Sequence, residues 1–319
     1  MEVGTADITK VKVTKTNKQT LFTKLKNQKA MIFMSLPFVI WVIIFKYLPL
    51  AGWAMAFEDY KPGKGFLDQT FVGLKHFKTL FKEPQFYQSL QNTLAMSILG
   101  LVFGTFFAIA FALLLNELRQ ARFKKIIQTI SYLPHFISWV VAATIVTSML
   151  APSGIVNDLL MKLHITSSQI PFMSNPNYFW GIVTCSDVWK EMGWNAIIYL
   201  AAITAIDPEL YDAAKVDGAG RFRQMISITL PSIKPTIVVL LIMSIGNLIN
   251  IGFEKQMLLG NTIVADKSLV LDKYALDYGI GMFRYSFGTA IGIFKSVVSV
   301  ILIFLANRIA KKSGEGGLI

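Results

Sequence analysis

Six times along the chain, about 20 mostly apolar residues follow one another, and a run of that length reads as a crossing of roughly 30 Å of hydrocarbon. The runs cover approximately residues 31–50, 93–115, 131–150, 178–206, 236–253 and 286–307. Within lipid the backbone finds no water, so each N–H and C=O must be paired internally, and separate runs of this kind meet that demand as helices. The sequence therefore predicts an all-α polytopic membrane protein with six transmembrane helices. With 54% hydrophobic and 16% charged residues, the 319-residue chain is too apolar for a soluble domain of its length.

A net charge of +12 first suggests nucleic acid. The basic residues instead crowd at the two ends and in one short loop, without a stripe of interleaved aromatics, so no nucleic-acid partner is expected. Lys10, Lys12, Lys15, Lys18, Lys24, Lys26 and Lys29 precede the first run; Arg119, Arg122, Lys124 and Lys125 follow the second; Arg308, Lys311 and Lys312 follow the sixth. By the positive-inside rule all three places are cytoplasmic, and six crossings then put both termini inside. The intervening loops 57–92, 151–177 and 254–285 have near-balanced charge and are expected outside. Segment 1–30 reads as a basic cytoplasmic start, with a helix around Leu21, Phe22 and Leu25 lying on the lipid surface. Residues 312–319 read as a cytoplasmic tail. A single cysteine, Cys185, excludes an intrachain disulfide. His76, His135 and His164 stand far apart and suggest packing or surface roles, with no metal site.

Between the fourth and fifth runs lies a polar island, residues 207–231. Asp207 can cap a helix that begins at Pro208, where the missing N–H would have been unpaired anyway. Gly218 tolerates the left-handed conformation of a helix end. A second helix then carries Phe222, Met225, Ile226 and Leu230 at helical spacing up to Pro231. Small Ala213, Ala214 and Ala219 beside Asp212, Lys215 and Asp217 leave a low surface suited to docking by another protein.

The spacing Asp212-Ala213-Ala214, Asp217-Gly218-Ala219, Ile228-Thr229-Leu230-Pro231 resembles the cytoplasmic loop signature of permease subunits of binding-protein-dependent ABC importers. Asp212 departs from it, since that family usually has Glu there. The resemblance covers residues 30–311. It implies the type I ABC importer permease fold over 31–311 and makes 207–231 a coupling loop on the ATPase, through Asp207, Tyr211, Asp212, Ala213, Ala214, Asp217, Gly218, Ala219, Arg221 and Phe222. It also implies a second, non-identical permease, two ATPase subunits that bind ATP and Mg, an extracellular or periplasmic substrate-binding protein, and residence in a bacterial cytoplasmic membrane among its lipids. The stretches Tyr132 to Trp139 (YLPHFISW), Asp187-Val188-Trp189-Lys190 and Ile245-Gly246-Asn247-Leu248 are similar to permeases for oligo- and polysaccharides, the alginate importer included.

Charges inside a crossing are costly and need a reason. Asp187, Lys190, Glu191 and Trp194 share one helical face of the fourth run, with Trp189 and Asn195 beside them; Asn247, Asn250 and Glu254 share one face of the fifth. Glu191 precedes Asp207 by sixteen residues and Asn247 follows Pro231 by sixteen, so both are expected about 24 Å from the inner surface. The alternatives are a substrate cavity, with amides, carboxylates and tryptophan faces for a sugar, or mutual neutralisation within the bundle. The cavity is the expectation adopted. The pairs Gly100/Gly104 and Gly288/Gly292 are expected to let helices approach. No G-x-x-x-x-G-K-[ST], H-E-x-x-H or G-x-S-x-G occurs, so the chain is expected to be no enzyme, to hold no cofactor and to take its energy from a partner. The alternatives are an ion-coupled sugar carrier relaying protons through Asp187 and Glu191, and an intramembrane glycosyltransferase using the same carboxylates.

Overall fold

The structure, a computed structural model, describes residues 28–65, 68–312 and 314. The expected surface helix around Leu21, Phe22 and Leu25, and nearly all of the tail, lie outside the described residues. Contacts divide the chain into two units, Met1–Gly52 and Trp53–Ile319. In the first, α1 (Lys29–Val42) runs on through a π turn, Ile43–Tyr47; the 3-10 stretch Leu48–Phe57 that follows begins in the first unit and ends in the second.

The second unit opens with a two-stranded antiparallel ribbon, β1 (Glu58–Asp59) and β2 (Thr70–Phe71), and a short α2 (Lys75–Leu80). The long α3 (Pro84–Glu117) follows, then α4 (Ala121–Tyr132), a 3-10 turn Leu133–Phe136, α5 (Trp139–Met149) and α6 (Ile155–Lys162). Next are α7 (Pro176–Thr204), α8 (Pro208–Val216), α9 (Arg221–Ser232) and α10 (Lys234–Gly246). After α11 (Glu254–Leu259), α12 (Ala265–Ser268) and α13 (Leu271–Tyr274), a π turn Ala275–Gly281 leads to the final α14 (Tyr285–Lys312).

The scaffold is α3 lying along α7. Small side chains permit it: Ala108 and Ala112 of α3 pack with Ala196, Tyr199 and Ile203 of α7. Between α4 and α7 the approach is closer still, since a Cβ on Gly193 would collide with the Ser131 carbonyl.

Among the described residues, three helices are long and apolar enough to cross a membrane: Lys29–Phe57, Pro84–Glu117 and Tyr285–Lys312. Two bent pairs extend that to five. The helix of the fourth run, α7, is long enough as well, but Asp187, Lys190 and Glu191 sit in its middle. Two of the six runs expected as plain helices are thereby corrected. The third is bent by 104° between Ala121–Phe136 and Trp139–Met149. Pro134 lacks an N–H for the ladder, Ile137 is extended, and Ser138 starts a new helix by accepting from the Val141 N–H at 3.4 Å. The fifth stops at Gly246 rather than Phe253, and just ahead of it Arg221–Ser232 meets Lys234–Gly246 at a 56° bend next to Pro235.

The irregular chain beyond Gly246 runs through the bundle, and a polar stripe on α3 answers its backbone. Asn92 Nδ2 donates to the carbonyls of Asp266 (2.8 Å) and Leu269 (2.9 Å); Thr93 Oγ1 accepts from the Leu271 N–H at 2.9 Å. Ser97 Oγ donates to the Leu248 carbonyl. Buried backbone groups outside a regular helix need such partners. The glycine expectation divides. Gly288 meets Gly279 backbone to backbone, whereas a Cβ on Gly100, Gly104 or Gly292 would touch nothing within 4 Å. Gly100 and Gly104 border open space within this chain and line a cavity.

Candidate functional site

That open space is a cavity of about 230 Å³ between α3, α7 and the chain around α11. Ser97, Gly100 and Gly104 form one wall; Asp187, Glu191 and Asn195 form a second; Ile251 and Lys255 form the third. The charges are paired in a defined order. Lys255 Nζ binds Asp187 Oδ2. Glu191 uses both oxygens, Oε2 to His135 Nδ1 at 2.6 Å and Oε1 to Lys190 Nζ at 3.2 Å. Lys190 is buried, and its ammonium also donates to the His135 carbonyl at 2.7 Å. Trp139 stands between the two ammonium groups, with its ring 5.7 Å from Lys190 Nζ and 5.8 Å from Lys255 Nζ. The Trp194 indole stacks flat on the His135 ring, centroids 4.3 Å apart and planes 4° from parallel.

The sequence-predicted residues separate accordingly. Asp187, Glu191 and Asn195 meet at the cavity, and Lys190 and Trp194 belong to the network behind it. Trp189 lines a different, almost wholly apolar groove of about 530 Å³ between α5 and α7. Asn247, Asn250 and Glu254 do not share a helical face, because the helix has ended; Glu254 opens α11. Asn247 Nδ2 donates to the Met243 carbonyl at 3.1 Å, and Asn250 Nδ2 to Ser299 Oγ on α14 at 2.8 Å. His135, Trp139 and Lys255 were missed. The first two lie within the YLPHFISW stretch, where Pro134 signalled a break that would turn side chains toward α7; Lys255 adjoins Glu254 but had no pattern of its own.

The connector forms as its residues dictate. Asp207 Oδ1 accepts from the Glu209 N–H at 2.9 Å and caps α8. At the other end Gly218 has φ +75°, and the N–H groups of Gly218 and Ala219 donate to the carbonyls of Lys215 (3.0 Å) and Ala214 (2.8 Å), the paired bonds of a Schellman ending. Tyr211 Oη and Thr229 Oγ1 lie 2.9 Å apart, tying α8 to α9. Asp212 pairs with Lys215 at 2.8 Å. Leu210, Val216, Phe222 and Ile226 are all exposed apolar side chains here, with Val216 89% accessible. Arg221, Ala219, Lys215 and Gln224 also border a polar groove of about 490 Å³ against Glu117 and Arg119 at the end of α3.

Residues 100–314 match the family model described as binding-protein-dependent transport system inner membrane component, which is well over half of the chain. The chain belongs to that family. Its α3–α7 scaffold, cavity and connector all lie within or overlap the matched region. This inner membrane component is 45% identical over 305 residues to the polygalacturonan/rhamnogalacturonan transport system permease protein YteP of Bacillus subtilis, covering 95% of this chain and 94% of that one. It is 44% identical over 295 residues to protein LplB of the same organism, covering 92% of each. Two crystal structures are similar. One is of a bacterial ABC transporter that imports the acidic polysaccharide alginate, with TM-score 0.83, 39% identity, and coverage of 92% of this chain and 98% of that one. The other is of a bacterial alginate ABC transporter in complex with an alginate pentasaccharide-bound periplasmic protein, with TM-score 0.85, 38% identity, and coverage of 94% and 100%. The chain is thus an integral membrane transport component with an importer permease's helical fold.

Proposed function

We propose that this chain is one of two non-identical permease subunits of an ATP-driven importer that carries oligosaccharides or polysaccharide fragments into a bacterial cell. The observation that carries it is the similarity, along more than nine tenths of the chain, to the alginate transporter permease. Six crossings are assigned: the α1 helix with its extension, α3, the bent α4–α5 pair, α7, the bent α9–α10 pair, and α14. The basic loop 118–125 and the connector 207–231 then face the cytoplasm together with both termini.

On this reading two ATPase subunits, which hold ATP and Mg, dock on the connector by way of Asp212 to Ala214, Gly218 and the exposed Val216 and Phe222. Their closure pushes α8 and α9. Since α8 follows α7 after a few residues and α9 continues into α10, the push reaches the helix that carries Asp187 and Glu191, so the cavity alternates between inward and outward access. An extracellular or periplasmic binding protein delivers the glycan from outside. Asp187, Glu191 and Asn195 offer acceptors and donors to sugar hydroxyls.

The test is to co-purify the chain with its ATPases and its partner permease, reconstitute them with the binding protein, and measure hydrolysis against a saccharide panel. Glycan-stimulated hydrolysis that drives uptake is the expected result. Uptake driven by an ion gradient without any ATPase, or glycosyl transfer by the purified chain, would replace this reading with a carrier or an enzyme.

A further inference from the structure

The cavity's cations differ in what they have left to give. An ammonium has three N–H donors. Lys190 donates to the Glu191 carboxylate and the His135 carbonyl and is buried behind the wall, so little of it faces the cavity. Lys255 donates to Asp187 Oδ2 alone among the described residues, faces the cavity, and so keeps two donors open. The carboxylates are acceptors only: Glu191 has one partner on each oxygen, His135 and Lys190, and Asp187 has Lys255 on Oδ2, so the lone pairs left over suit sugar hydroxyls and repel a substrate carboxylate. The charged and titratable groups facing Lys255 are thus Asp187, Lys190, Glu191 and His135, with the Trp139 ring between the two ammoniums. Among the described residues the carboxylates lining the cavity are Asp187 and Glu191, and the ammoniums of Lys255 and Lys190 pair with them.

We propose that Lys255 is the specificity-determining residue of the cavity and that it selects glycans bearing carboxylates, of the uronic acid class, by sharing its ammonium between Asp187 and a substrate carboxylate. This deepens the proposed function and rests on it. A neutral sugar can offer Lys255 only hydroxyl acceptors, whereas a carboxylate makes charge-assisted bonds roughly twice as strong. The position of Lys255 suits the task. It is the second residue of α11, directly after the irregular segment in which Gly252 has φ +73°, and the Gly252 N–H is held by Asp272, whose carboxylate also binds Lys295 of α14. A fixed hinge presents the ammonium while its long stem still lets the head move between two acceptors.

The experiment uses the complete transporter with its ATPases, partner permease and binding protein. The half-saturating concentration for stimulation of ATP hydrolysis is measured with a tri-uronate and with the same trisaccharide whose carboxylates have been reduced to alcohols. The ratio of the two is the acidic preference. The binding protein is the same throughout, so a change in that ratio on substituting the permease reports the cavity. Lys255→Met is expected to lower the preference about tenfold and Lys255→Arg to preserve it. The double variant Asp187→Asn/Lys255→Met, which strands no carboxylate, should lower it equally, and a purely structural role for Lys255 would leave the ratio unmoved. An unchanged ratio in Lys255→Met and in the double variant overturns the inference and leaves saccharide import standing. Failure of both trisaccharides, and of a neutral glycan panel, to stimulate the wild-type transporter overturns the import reading and the inference together.

Discussion

Replacing Gly218 by valine isolates the connector's bend from every other property of the site. Gly218 sits at φ +75°, and a Cβ there would meet nothing within 4 Å, so crowding contributes no penalty. What remains is intrinsic: an L-residue in the left-handed region costs about 1–2 kcal/mol, with a β-branched side chain at the upper end. That is comparable to the two Schellman bonds it would strain, Gly218 N–H to Lys215 and Ala219 N–H to Ala214, at about 0.5–1.5 kcal/mol each. A shift of this size depopulates the bent connector by about 5- to 30-fold relative to alternatives. The chain is still expected to insert, because the crossings are untouched. The assay is glycan uptake per ATP hydrolysed in the reconstituted transporter. Gly218→Val should lower it about fivefold or more. Gly218→Asn, which tolerates the left-handed region, should keep most of it. Wild-type uptake per ATP in Gly218→Val, or equal loss in both variants, would refute the reasoning.

Two further outcomes test the frame that holds the site. Gly193→Ala places a methyl against the Ser131 carbonyl, which is backbone and cannot rotate aside, so α4 and α7 must separate; a loss of about 1–3 kcal/mol is expected as a lower thermal midpoint of the purified protein, and an unchanged midpoint contradicts it. Burial pushes the His76 pKa below its ordinary value, with neighbouring Lys75 adding to the shift and the bond to the Glu58 carbonyl opposing it. A folded pKa below the unfolded one means that the unfolded chain takes the proton first, so stability is full above about pH 6.5 and is lost as pH falls toward the lowered value. Protection of the amides around His76, taken relative to the intrinsic exchange rate at each pH, should therefore fall between pH 7.5 and pH 5 in the wild type and less so in His76→Gln; identical pH dependence of protection in both would contradict the shift.

The sequence-level reading succeeded where one local rule decides the outcome. Asp207 and Pro208 start α8, Gly218 ends it, and the apolar length of residues 93–115 and 286–307 makes α3 and α14, because caps and apolar length act over a few neighbouring residues. Asp187 and Glu191, spaced on one uninterrupted helix, both border the 230 Å³ cavity, and both are also paired within the bundle, so the two alternatives weighed from the sequence meet in the same residues. The sequence-level reading failed where prolines and a helix end reset the helical count. The break at Pro134 turned the third run through 104°, and the stop at Gly246 removed the face on which Asn247, Asn250 and Glu254 were placed together. His135 and Lys255 meet their carboxylates across 56 and 68 residues of chain, a distance at which periodicity carries no information. Thr93 and Ser97 stand in an apolar run, with Asn92 just before it, and their spacing shows no purpose until the segment beyond Gly246 that they serve is in place.

The central claim is that residues 207–231 form a handle on the inner face of the membrane, gripped by an ATPase. With the free Cys185 replaced by serine, Val216→Cys puts a thiol at a highly exposed point of the connector. Membrane-impermeant maleimide is then applied to right-side-out and inside-out vesicles, with and without bound ATPase subunits. Labelling confined to inside-out vesicles and suppressed by the ATPases is the predicted result; labelling of right-side-out vesicles, or labelling indifferent to the ATPases, would contradict it.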